Sequence, residues 1–133
     1  MLFRSMIVVV IMAILVAVAV PIFSAVTKNA RVKTCAANRR EIVSQLTNYA
    51  MSANANIVGT ITITSDGDAG DATVPADIGI TEAAFIQLFQ ELPFCPAEGT
   101  YTVECTAGTG EEAGSVTVAV TCNGGTDGTG EHA

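Results

Sequence analysis

A chain of 133 residues with 5% aromatic residues and no tryptophan has room for one domain, with a small core built mainly from β-branched side chains. Its formal net charge of -7 is segregated along the chain: every Lys and Arg lies at or before Arg40, and every Asp and Glu at or after Glu41. The part beyond Arg40 is therefore anionic, which suits a soluble exported surface and argues against nucleic-acid binding by that part.

The first element is apolar. Residues 6–26 carry no charge, and only Pro21 and Ser24 interrupt the run. At about 1.5 Å per residue this segment is about 30 Å long, one bilayer crossing. Met6, Ile7, Val8, Ile11, Ile14, Leu15, Val18 and Pro21 mark it as a membrane helix. A head this small could not surround such a helix as a soluble core. Pro21 removes one helical hydrogen bond, which predicts a kink or local unwinding.

Residues 27–52 continue as an amphipathic helix. Its 3.6-residue period gathers Cys35, Ile42, Val43, Leu46 and Tyr49 on the face toward the head. Ala30, Ala37, Glu41, Ser44 and Asn48 fall on the other face, small or polar enough for another helix to approach closely. Arg39 lies on the apolar stripe, where a head carboxylate is its expected partner. Lys28, Arg31 and Lys33, just past the apolar run, suit anionic headgroups, complementary charges on neighbouring subunits or simply a solvated helix face, although basic flanks by themselves would put that side in the cytoplasm.

A β-rich head follows over 53–122. Residues 57–64 alternate as a strand, 66–72 form a Gly- and Asp-rich loop, and Thr81 caps a short helix reaching Leu92 before Pro93. Runs 100–105 and 115–122, joined by a Gly-rich turn over 107–114, read as a hairpin. Tyr101, Val103 and Cys105 share one of its faces with Val116, Val118, Val120 and Cys122, the natural cover for the helix stripe. Residues 123–133 read as a flexible tail. The fold class is α+β: a long N-terminal helix packed on a small antiparallel sheet.

The run Met6-Ile7-Val8-Val9-Val10-Ile11-Met12-Ala13-Ile14-Leu15-Val16-Ala17-Val18-Ala19-Val20-Pro21 resembles the N-terminal helix of type IV pilins and pseudopilins. The likeness continues through Lys33-Thr34-Cys35-Ala36-Ala37-Asn38-Arg39-Arg40-Glu41-Ile42. Pro93-Phe94-Cys95-Pro96 with Gly99-Thr100-Tyr101 resembles the heads of some pilins of Gram-positive bacteria. The resemblance implies a pilin-like fold and residence in the cell membrane as a single pass with the head outside. It further implies assembly with copies of itself or other pilins into an extracellular helical filament, served by a prepilin peptidase and pilus assembly machinery. In that family the peptidase cuts after a glycine, the new amine is methylated, and a nearby glutamate registers the incoming subunit. Arg4 stands where that glutamate belongs, with no cleavage glycine or basic leader before it. Leu2-Phe3-Arg4-Ser5 is what CTC-TTC-CGA-TCT encodes, the end of a widely used sequencing adapter, so residues 1–5 are read as non-native. A divergent pilin or an internal start is the alternative.

Cys35, Cys95, Cys105 and Cys122 are even in number and contain no C-x-x-C, and the one histidine, His132, lies in the tail, so disulfides are expected rather than a metal set. A hairpin turning near Gly110 brings Cys122 close to Cys95 and leaves Cys35 to meet Cys105; buried free thiols are the alternative. The acidic loop 66–71 lacks the calcium-loop pattern and its closing Glu, so it reads as solvated. With no nucleophile motif or phosphate-binding glycine loop, no enzymatic activity and no cofactor are expected. The expected function is a structural subunit of a type IV pilus or a related competence or secretion pseudopilus, held in membrane lipid before assembly. A membrane-anchored extracellular binding module is the second reading.

Overall fold

The computed structural model describes residues 1–65, 69–108 and 115–124. The chain divides into two compact units between Ala30 and Arg31.

The first unit is helical from Leu2 onward, and every described side chain up to Ala25 is exposed. Of the kink or local unwinding expected at Pro21, the unwinding does not occur: the helix, α1, runs from Leu2 to Ala53 with Pro21 inside it. A proline removes a single rung of the ladder, and the neighbouring rungs suffice to hold the helical path.

In the second unit, α1 ends in a Schellman arrangement. Asn54 adopts a positive φ of 47°, and Ala55 N–H donates back to Ala50 O at 3.2 Å. Asparagine tolerates this left-handed conformation, so the helix stops where the β pattern begins. Four strands follow: β1 (Gly59–Ser65), β2 (Gly70–Thr73), β3 (Tyr101–Ala107) and β4 (Val116–Cys122), with α2 (Glu82–Gln87) between β2 and β3. They form one antiparallel sheet in the order β2-β1-β3-β4.

Two details depart from the sequence reading. Part of the expected loop is strand β2, with Ala72 opposite Ile63; Asp66 to Asp68 lie outside the described residues. The Gly-Asp-Ala-Thr of β2 has little β propensity, and pairing with β1 overrides it. The second helix has its expected cap, Thr81 Oγ1 accepting from Ala84 N–H at 3.3 Å, but it ends at Gln87. Its exit tightens into three-residue turns, with Leu88 N–H donating to Phe85 O and Phe89 N–H to Ile86 O.

The core lies between α1 and one sheet face. Ile61 and Ile63 of β1, Tyr101, Val103 and Cys105 of β3, and Cys122 of β4 are buried with Cys35, Ile42, Leu46 and Ala50 of α1. Val116, Val118 and Val120 pack half-buried on the same cluster. Phe85 and Phe89, edge to face at 5.4 Å, fill the end under α2.

Candidate functional site

Two features stand out, one in each unit. Around 6–26 the helix is long and apolar enough to cross a membrane, its most apolar window having a mean hydropathy of 3.2 with none of it buried. Met6, Ile7, Val8, Ile11, Ile14, Leu15 and Val18 are all exposed. Exposure of so much apolar surface is unfavourable in water and requires a lipid or protein environment.

The second feature is built where α1 meets the sheet. Cys35, Ile42 and Leu46 are fully buried, Val43 and Tyr49 are half-buried, and Ala50, one turn beyond Leu46, extends the stripe. Ala30, Ala37, Glu41, Ser44 and Asn48 are exposed. One turn from Cys35 toward the sheet, Asn38 Nδ2 donates to Phe94 O at 2.9 Å and to Tyr101 Oη at 3.3 Å. This single amide fastens helix, loop and strand together.

The loop before β3 is held by Cys95. Its carbonyl accepts from Ser65 Oγ at 3.2 Å and from Glu98 N–H at 3.1 Å, and Glu98 turns through a φ of 59°. At the far end of the hairpin Cys122 stands opposite Tyr101, which brings it beside the loop. Asn123 continues the ladder in both directions: its N–H donates to Thr100 O, and its Oδ1 accepts from Thr100 N–H at 2.8 Å. Asn123, expected to begin the flexible tail, is instead tied to Thr100, and Gly124 is buried; 125–133 lie outside the described residues, His132 among them.

These supports bring three thiols together. Cys95 Sγ is 3.5 Å from Cys122 Sγ, and the sulfurs of Cys35, Cys95 and Cys122 all lie within 4.8 Å of one another. All four cysteines of the chain are buried free thiols in this structure. The expected partnership of Cys35 with Cys105 is not formed: Cys35 faces Cys95 and Cys122, while Cys105 is four residues along β3 from Tyr101, about 13 Å away. The reason is the helix register, which points Cys35 at the Tyr101 end of the sheet.

Comparison with known proteins adds nothing to this picture. No family model, curated protein or solved structure matches the chain.

Burial, with Cys35 beside it, holds the Tyr101 hydroxyl far above its ordinary value. Burial likewise pushes the Cys122 thiol up to about 12, with Cys35 and Cys95 adding to the rise and a hydrogen bond from Gly124 N–H opposing it. Cys105 is raised by burial. Such thiols are poor nucleophiles toward reagents in solution. Arg39 has no carboxylate partner among the described residues: its Nε is buried without a hydrogen bond, beside a groove of about 400 Å³ lined by Ala36, Arg40, Val43, Ser44 and Val120.

Sequence spacing could not reveal the three-thiol cluster. Its members come from a helix, a loop and a strand end, and no local C-x-x-C signals them.

Proposed function

We propose that the chain is a structural subunit of a type IV pilus or a related pseudopilus, held in the membrane by its N-terminal helix before assembly. The observation that carries this reading is the change of character within α1. Its first part exposes an uncharged, almost wholly apolar run of bilayer length over 6–26, and its later part packs one face on a sheet while keeping small and polar residues outward. A filament of stacked helices needs both properties: an apolar segment for a dry centre, and a helix face that admits a neighbour closely. The acidic head surface keeps the subunit soluble outside the cell and complements the basic residues 28–40 of another copy.

The test begins with a shortened chain starting at Thr27, expected to be a soluble monomer by light scattering because the head already covers the apolar face of its helix. The full chain, given a cleavable leader and an assembly machine working on its own pilin, is expected in the membrane. Replacing Arg4 with Glu should move it into sheared filaments, because a carboxylate there can offset the methylated amine of a neighbour where water is excluded. Equal amounts of both versions in the sheared fraction would refute the role given to the glutamate. Absence of both would favour the anchored binding module.

A further inference from the structure

We infer that Cys35, Cys95 and Cys122 form a binding site for one thiophilic monovalent metal ion, copper(I) being the closest fit. The inference rests on the cysteines being reduced, as they are in this structure, and not on assembly into a filament.

Geometry comes first. Three sulfurs about 2.3 Å from an ion at the centre of their plane stand about 4 Å apart. Here one pair is 3.5 Å apart and all three lie within 4.8 Å, so closing on an ion needs only small side-chain adjustments. The donors are supported on three separate elements. Cys35 sits on α1, Cys95 in a loop whose carbonyl is doubly hydrogen-bonded, and Cys122 at a strand end secured by Asn123.

The donor set selects the ion. It consists of soft sulfurs alone, since among the described residues no histidine or carboxylate belongs to the cluster. Zinc in structural sites takes four ligands, whereas soft thiolates in low coordination number favour copper(I). The Tyr101 hydroxyl, which stands beside Cys35, is already engaged by Asn38 and Cys35. The three cysteines are at most 1% exposed, so water is not at hand as a further ligand.

Charge balance gives Arg39 a role. Each thiol releases its proton to solvent as it binds, leaving three thiolates and one monovalent cation with a net negative charge in the core. Arg39 lies one turn from Cys35 on the same side of α1, and its buried Nε lacks the partner expected for it. A nearby anionic centre supplies what no described carboxylate does.

The test uses the full chain in detergent micelles, reduced and kept free of oxygen, titrated with copper(I) against a chromogenic copper(I) chelator. One ion per chain is expected, with three sulfur neighbours by X-ray absorption. Cys35→Ser should weaken binding at least about 100-fold, Arg39→Gln by several-fold, and Cys105→Ser by no more than about two-fold. Because a serine in the core could unfold the head, the unaltered chain carries a second readout. Copper(I) at about one hundred times its Kd should raise the thermal midpoint by about 10 °C. Lack of binding by the reduced chain, undiminished binding by folded Cys35→Ser, or a Cys95–Cys122 disulfide in an unreduced digest of the native protein would each overturn the inference.

Discussion

Leu46 and Leu15 are the same residue on the same helix with opposite surroundings, and truncating each to alanine separates the two parts of α1. Leu46 is 0% exposed in the core, whereas Leu15 is 64% exposed. Removing a fully buried leucine side chain costs about 2–5 kcal/mol, the upper end where the cavity cannot collapse. Leu46 sits between a helix and a hydrogen-bonded sheet that resist closing on the gap, so a value near 3 kcal/mol is expected. A head of roughly a hundred residues has about 5–15 kcal/mol of stability in all, so this loss lowers the thermal midpoint by about 10 °C or more. Leu15→Ala creates no cavity, and its effect on the head should stay within about 0.5 kcal/mol. Thermal unfolding of both variants in mild detergent, followed by circular dichroism of the sheet, gives the comparison. A loss below about 1 kcal/mol for Leu46→Ala, or equal losses for the two, would refute the assignment of the core to the later part of α1.

Two further outcomes concern the head. Gly79 has a φ of +90°, and a Cβ there would run into the Asn56 carbonyl oxygen, so Gly79→Ala should cost about 2 kcal/mol or more in urea unfolding. Gly70→Ala, which meets only side-chain atoms of Leu92 and Phe94 at 3.3 Å and needs no positive φ, should cost clearly less. In the reduced protein, burial raises the Cys105 thiol above its ordinary 9.0. The unfolded chain therefore ionises first, the folded state keeps the extra proton, and stability present below 9.0 is lost as pH rises past it. The slope is at most about 1.4 kcal/mol per pH unit for this one group. Cys105→Ala should lessen the fall in stability between about pH 8 and about pH 10, and an unchanged fall would show that this thiol titrates alike in both states.

Elements with strong periodicity were legible in the sequence. The stripe Cys35, Ile42 and Leu46 repeats at helical spacing, and Tyr101, Val103 and Cys105 alternate against polar neighbours, so their inward faces followed from period alone. Strand β2 was not legible, because Gly-Asp-Ala-Thr has no β signal and becomes a strand only through its partners Thr62 to Ser65. The end of α2 was misplaced because Leu88 and Phe89 keep apolar spacing while the backbone tightens into another kind of turn. For the cysteines, the hairpin register explained the approach of Cys122 to Cys95. The arrival of Cys35 depended on how α1 slides over the sheet, which no local pattern encodes.

The order of the elements also sets a timetable for synthesis. Cys35 packs beside Cys122, which is made 87 residues later, so the helix stripe leaves the ribosome well before the strand that completes its cover. At about 5–20 residues per second, that delay is roughly 4–17 s. Throughout it, Ile42 and Leu46 belong to a helix whose sheet is incomplete, and full docking waits for the last strand. Rare codons placed between β1 and β4 would lengthen this interval, and a protease acting on the nascent chain would find its best opportunity there.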